Sequence, residues 1–170
     1  MDALPHRDHH RDAPTALRRI LGLDVGERRT GVAISEPMGL LARSLAIVQS
    51  RRWSVQVAQI ADLAVLYEAG TIVIGYPLHM SGEAGEQARR VDRFADLLAD
   101  ELERRSWAAQ LVFWDERGST EMAQDIRRQS GARAAGRTGR GAHVDAVAAA
   151  VILQGYLDHL LSRQISEASR

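Results

Sequence analysis

The stretch from Ile20 to Ser35, "ILGLDVGERRTGVAIS", constrains the fold more than any other part of the chain. Leu21, Leu23 and Val25 alternate with Gly22, Asp24 and Gly26, and after a short break Val32 and Ile34 alternate with Gly31 and Ala33. Alternation of period two sends successive side chains to opposite faces of an extended strand. Only "ERR" separates the runs, which is room for a turn and nothing more, so the chain opens with an antiparallel hairpin. A third strand is expected around Ser44 to Val48. Inside the hairpin Asp24 is the odd residue, an acid between two glycines at the end of an apolar run. It either shapes a turn before Gly26 or holds a ligand.

Beyond the meander the period changes. From Trp53 to Tyr67, Val57, Ile60, Ala61, Ala64 and Val65 recur at helical spacing and Gly70 closes the segment. "TIVIGYP" then reads as a short strand that Pro77 ends. From Glu83 to Arg105, Val91, Phe94, Ala95, Leu98 and Leu102 form one apolar stripe on a charged helix. "AQLVFWDE" is the next strand. Ser119 or Thr120 suits the N-cap of a helix to about Arg128, which the glycine- and arginine-rich segment breaks. Val144, Val147, Val151, Ile152 and Leu160 predict a last helix from His143 to Leu161. Strand, helix, strand order brings parallel neighbours, because a parallel pair needs a crossover. The expected class is α/β: a mixed five-stranded sheet with an antiparallel three-strand start and helices on both faces. One domain, residues 18–162, is expected between an aperiodic, disordered N-terminal tail, residues 1–17, and a flexible C-terminal tail, residues 163–170. His6, His9 and His10 in the first tail have no scaffold on which to build a metal site.

Composition matters for what it excludes. With no cysteine, disulfides, thiolate zinc sites and cysteine nucleophiles are ruled out, and a cytoplasmic protein is the easier expectation. The longest apolar runs, such as Ala146 to Leu153, fall short of the roughly 20 residues a membrane span needs, and the start lacks an apolar signal region. Formal net charge is +0, so there is no global attraction to nucleic acid, but every basic residue is arginine. From Arg127 to Arg140, "RRQSGARAAGRTGR", there are arginines at 127, 128, 133, 137 and 140 and no acid. Such a segment meets phosphates locally or is a solvated loop.

Three acids stand at element ends, flanked by apolar residues: Asp24, Glu116 beside Asp115, and Asp145 in the first turn of the last helix. Converging carboxylates suit Mg2+, a hard cation that prefers oxygen ligands, and two such ions about 4 Å apart can activate water for phosphodiester hydrolysis. Each acid has a plainer role open to it. Asp24 could shape its turn, Glu116 could pair with Arg117, and Asp145 could stabilise a helix start through the macrodipole. Asp115 and Glu116 should point to opposite faces of their strand, so one of the two joins any cluster.

These residues resemble the YqgF/RuvX-like family, described as Holliday junction resolvases and as pre-16S ribosomal RNA nucleases on an RNase H-like fold. The resemblance runs from about Arg19 to His159 and is carried, in order, by "LGLDVGERRTGVAIS", "IVIGYPLHMSG", "DERGST" and "HVDAVAAAVILQ". It implies Asp24, Glu116 and Asp145 as the catalytic and metal-holding triad, choosing Glu116 over Asp115. Small departures are Tyr76 where a leucine is common and Gly118 before "ST". RuvC resolvases, similar in fold, carry a further aspartate beyond the last acid, where this chain has Ala148.

The resemblance implies a nuclease that uses Mg2+ or Mn2+ to hydrolyse phosphodiester bonds, with structured RNA and the 5′ end of pre-16S ribosomal RNA ahead of branched DNA. Two other functions stay in view: a Holliday junction resolvase-like DNA endonuclease, for which a homodimer rather than a monomer is expected, and a non-catalytic nucleic-acid-binding module. Actin-like and Hsp70-like ATPases share the opening motif but need two such domains, and 170 residues supply one. Arg117, Arg127, Arg128, Arg133, Arg137 and Arg140 are the expected nucleic-acid contacts, since arginine binds phosphate bidentately. His79 and Ser81, after the strand ending at Pro77, could touch substrate from an exposed loop. His143 could assist proton transfer or pack the helix start. Gly22 and Gly26 are expected to leave room for metal and phosphate to approach the backbone.

Overall fold

A computed structural model describes residues 18–77, 82–115 and 140–169, with side chains described for 18–77, 85–114 and 146–169. The described strands are β1 (Arg19–Val25), β2 (Arg29–Ser35), β3 (Ala42–Gln49), β4 (Ala69–Tyr76) and β5 (Gln110–Asp115). The helices are α1 (Trp53–Leu66), α2 (Gly82–Arg104) and α3 (Arg140–Ala168). They build one five-stranded sheet in the order β3-β2-β1-β4-β5. β1 pairs antiparallel with β2 and β2 antiparallel with β3, whereas β1–β4 and β4–β5 are parallel. This is the mixed sheet with an antiparallel start that the sequence predicts.

The hairpin closes where Gly26 N–H donates to the Arg29 carbonyl at 2.9 Å. A Cβ on Gly26 would lie 2.5 Å from that oxygen, so a side chain cannot be accommodated without opening the turn. On one face of the sheet Leu21, Leu23, Val32, Ile34, Ile72 and Ile74 pack against α1 and α2 through Val57, Ile60, Phe94 and Leu98. On the other, Ala33 and Val73 pack against Ala149, Ile152, Leu153 and Leu157 of α3. Both faces of the central strands are therefore covered. The alternation in β1 and β2 sorts large residues from small ones rather than apolar from polar: the α3 face carries Gly22, Gly31 and Ala33.

α1 and α2 are clamped to each other by Arg105, whose guanidinium donates to Asp62, to Glu101 at 2.8 Å and to the Ala58 carbonyl at 3.1 Å. Hydrogen bonding to Asp62 and then to Glu101 holds the Arg105 pKa above its ordinary value. Gly70 does not cap α1. The left-handed position is Glu68, at φ 54°, a conformation that costs a non-glycine residue on the order of 1 kcal/mol. Gly70 lies inside β4, where a Cβ would meet the Arg18 side chain at 2.6 Å.

α3 continues through Ala168, so the segment expected as a flexible tail from 163 is helical. Ser162, Ser166 and Ser169 hydroxyls donate to the carbonyls four residues back, and Arg163 pairs with Glu167 at 3.7 Å. These exposed local contacts carry no apolar periodicity, which is why the pattern stops at Leu161. The helix expected from Ser119 or Thr120 to Arg128 and the N-terminal tail lie outside the described residues. Among the described residues, no helix is long and apolar enough to cross a membrane.

Candidate active site

The carboxyl ends of β1, β4 and β5 lie level at one edge of the sheet, with Leu23 opposite Ile74 and Ile74 opposite Phe113. Asp24 is the next residue of β1. It is half-buried and lies on the face of Gly22, the face that α3 covers.

Gly22 has a different purpose from the one its sequence context suggests. A Cβ there would come within 2.6 Å of the Leu153 Cβ and 3.0 Å of the Ala149 carbonyl oxygen. The room it leaves is filled by α3, not held open for a ligand. Gly26, likewise, serves the turn.

The direction of α3 follows from its bonds to the edge strand. Ala42 N–H donates to the Gln154 side chain at 2.9 Å, and the Ser44 hydroxyl donates to the Ala146 carbonyl at 2.9 Å. Progress along β3 thus runs backwards along α3, and because β3 and β1 point the same way, α3 is antiparallel to β1. Moving from Gly22 to Asp24 therefore moves from Ala149 towards the turn of α3 that contains Asp145, four places earlier in the helix. The fold brings Asp24 and the Asp145 turn to the same end of the sheet. Asp145 and His143 are described here by backbone alone, as is Arg140, the first residue of α3.

Glu116, Arg117, Arg127, Arg128, Arg133, Arg137, His79 and Ser81 lie outside the described residues. Among the described residues, no group of three or more His, Cys, Asp or Glu is gathered for a metal.

Two features frame this end of the sheet. Tyr76, at the end of β4 on the α1/α2 face, donates its hydroxyl to Asp92 at 3.3 Å and sets its ring edge-on to Phe113 at 5.2 Å. Burial first, then the Asp92 charge and hydrogen bond, raise its pKa above 10.0. On the α3 face, Trp114 packs against Tyr156 and His159, and its buried indole N–H has no hydrogen-bond partner among the described residues.

At the turn beyond Val25 the structure joins residues that look unrelated in sequence. Ser50 N–H donates to the Arg28 carbonyl at 3.1 Å, and the Gln56 amide donates to the Ser50 carbonyl at 2.8 Å. The Thr30 hydroxyl donates to the Gln56 side-chain oxygen at 2.7 Å. The doublets Arg28-Arg29 and Arg51-Arg52 are thereby fastened side by side. Sequence inspection missed them, since each doublet alone reads as an ordinary turn or helix start.

Residues 18–159 match the family model described as "RuvX: Holliday junction resolvase". The chain belongs to the RuvX family. As a RuvX member it is a hydrolytic endonuclease. It is 41% identical over 147 residues to a protein of Syntrophus aciditrophicus named "Putative pre-16S rRNA nuclease", covering 86% of this chain and 93% of that one. A Clostridium tetani protein of the same name is 37% identical over 145 residues, covering 85% and 99%. Among solved structures, Thermus thermophilus RuvC is similar at a TM-score of 0.53 and 14% identity, covering 85% of this chain and 96% of that one. The same enzyme in complex with a Holliday junction substrate gives 0.52 at 14% identity, covering 84% and 95%. At that identity the likeness establishes the RuvC-like, RNase H-type fold.

Proposed function

We propose that this RuvX chain is a metal-dependent endonuclease acting on structured RNA in the 5′-end processing of pre-16S ribosomal RNA, in the cytoplasm, with Asp24, Glu116 and Asp145 as its catalytic and metal-holding acids. The assignment rests above all on the flush packing of α3 over Gly22, which carries the Asp145 turn to the Asp24 end of β1. Glu116 is the acid that the family resemblance chooses over Asp115, and β5, whose Val112 and Trp114 lie on the α3 face, leads towards it in sequence.

Carboxylates offer the hard oxygen donors that Mg2+ and Mn2+ take, so the donor chemistry fits such an ion. When bound, it supplies Lewis-acid charge and an activated water for hydrolysis at phosphorus. The chain's own contribution is to mount two of the acids on a strand and a helix locked together by core packing, which positions them better than loops would. Arg117, Arg127, Arg128, Arg133, Arg137 and Arg140 supply bidentate partners for substrate phosphates, and His79 and Ser81, which follow β4 in sequence, are the further substrate contacts. The RNA target is drawn from the names of the relatives. Ala148 is buried at 8% exposure and provides no further carboxylate of the RuvC kind, which weighs against a RuvC-type junction resolvase. A homodimer is expected only for action on a two-fold junction.

The test is incubation of the full chain with Mg2+ or Mn2+ on precursor 16S RNA and on a synthetic four-way DNA junction, alongside Asp24→Asn. The expected result is RNA cleavage that both the substitution and chelation abolish. Cleavage of the junction alone would transfer the assignment to a resolvase. Cleavage of neither substrate, or equal cleavage by the variant, would refute it and leave a binding module.

A further inference from the structure

We infer that Arg28, Arg51 and Arg52 form a second phosphate-binding surface, distinct from the arginine-rich segment 127–140, which grips the nucleic-acid backbone as it leaves the Asp24 end of β1. Its choice of ligand rests on the nuclease assignment above.

The surface is built rather than accidental. Thr30 and Gln56 are both fully buried, and their hydrogen bond continues through the Gln56 amide to the Ser50 carbonyl and through Ser50 N–H to the Arg28 carbonyl. The Ser50 hydroxyl accepts from Arg52 N–H at 3.1 Å. One continuous polar chain thus fixes the β1–β2 turn, the end of β3 and the start of α1 against each other. Satisfied buried networks of this kind rigidify what they join.

Among the described residues, the charges of Arg28, Arg51 and Arg52 are uncompensated. Arg28, Arg51 and Arg52 are exposed, and their guanidiniums make no ion pair or hydrogen bond among the described residues. Several arginines elsewhere on the surface are paired: Arg43 with Glu36, Arg90 with Glu86, Arg163 with Glu167, and Arg105 with Glu101 and Asp62. Within the turn and the junction the only acid is Glu27, and α1 has no acid in its first turn. Like charges held together repel, so a rigid platform that gathers them is suited to a polyanion that neutralises them.

Position decides which polyanion. The turn follows Val25 directly, and Asp24 pairs with Gly31 across the hairpin. β1, β2 and β3 are successive neighbours at ~4.8 Å each, so the β3–α1 junction lies on the order of 10 Å from the end of β1. That distance is about three phosphate steps of one duplex strand at ~3.4 Å each. A strand with its reacting phosphate at Asp24 would therefore pass its flanking phosphates across these arginines. Contacts of this kind fix register without reading sequence.

Binding measured in EDTA, where cleavage is blocked, separates this surface from the chemistry. Labelled RNA hairpin and four-way DNA junction are titrated with wild type, Arg28→Gln/Arg51→Gln/Arg52→Gln, the corresponding triple lysine variant, and Arg163→Gln as a distant control, over a range of salt. Loss of about three phosphate contacts should lower the slope of log K against log salt by roughly 2–3 and weaken binding at least tenfold near 0.1 M salt. Lysine should restore most of the slope, since it keeps the charge, and Arg163→Gln should change nothing. Thermal melts of the glutamine variant should match wild type because all three side chains are exposed. A loss confined to one polymer supports the surface and identifies that polymer as its ligand. Unchanged slope and affinity on both, or the same loss in Arg163→Gln, would overturn it. If wild type cleaves neither substrate but the triple variant loses binding, the surface stands and the catalytic assignment falls.

Discussion

Replacing Gly22 with alanine gives opposite signs depending on whether α3 lies flush on β1. In an open strand position, alanine would stabilise by about 0.5–1 kcal/mol, because glycine loses more backbone freedom on folding. Here the added Cβ would stand 2.6 Å from the Leu153 Cβ and 3.0 Å from the Ala149 carbonyl oxygen. Ordinary carbon contacts are ~3.5–4.0 Å, so strand and helix must part by about 1 Å. Neither clashing atom is the tip of a flexible side chain, so rotamer changes give no relief. Overpacking of this kind costs roughly 1–3 kcal/mol, and after the glycine term a net loss of about 1–2 kcal/mol remains. For a domain of this size that is a fall in Tm of about 2–8 °C. Activity should suffer more, since a misplacement of ~1 Å between catalytic groups can cost about 100-fold in rate. Thermal melts and single-turnover cleavage well below Tm read the two effects separately. A variant with an unchanged or raised Tm and full cleavage would refute both the close packing and the dependence of the site on it.

Gln56→Leu should lower Tm by about 4–8 °C, because a buried Thr30 hydroxyl and Ser50 carbonyl lose their partner at roughly 2 kcal/mol in total; adding Thr30→Val should recover part of the loss in the same melts. Arg105→Ala removes the clamp between α1 and α2 and leaves buried Glu101, among the described residues, with only the exposed Arg104, so chemical denaturation should give a loss of about 2 kcal/mol. Tyr76 has a raised pKa in the folded state. Above pH ~10 the unfolded chain releases this proton first, so stability present below that pH is lost as pH rises through the folded value. Tyr76→Phe should flatten that alkaline decline in denaturant midpoints, and identical declines in the two proteins would refute the link.

The topology was legible because its signals are local and redundant. The hairpin, the change to helical period at Trp53, the strand ended by Pro77 and the stripe of Val91, Phe94 and Leu98 each survive on their own. What escaped notice depends on contacts between distant segments. Gly22 looks like a residue that spares space for a ligand until α3, over a hundred positions later, is laid on it. Gly70 resembles a helix cap, but Glu68 takes the left-handed position and Gly70 makes room for Arg18. The end of α3 was invisible because residues beyond Leu161 are held by serine hydroxyls and the Arg163–Glu167 pair with no apolar rhythm. Arg28 and Arg51 belong to one surface through the Ser50 bond to the Arg28 carbonyl and the buried Gln56 that supports it. Of the candidate acids, Asp24 could be located by strand parity, and the placing of the Asp145 turn at the same end of the sheet became visible only from the direction of α3.

That direction is fixed at several points, and this has a mechanical consequence for the site. Gln154 accepts from Ala42 N–H and donates to the Leu40 carbonyl at 3.0 Å, Ser44 holds the Ala146 carbonyl, and Gly22 receives Ala149 and Leu153. The first two contacts pin the helix to the edge strand, and the third seats it on the central strand. Sliding α3 by one residue, ~1.5 Å along its axis, would strain the bonds at β3 and drive side chains into the sheet at Gly22. The carrier of Asp145 therefore has little freedom relative to the carrier of Asp24, and the pair is as rigid as the core itself. Gly22 weakens β1 as an isolated strand, but it lets the helix that carries Asp145 sit low on the sheet. By the same reasoning, substitutions at Ser44 or Gln154, which hold α3 to the edge of the sheet, should lower cleavage out of proportion to their effect on stability.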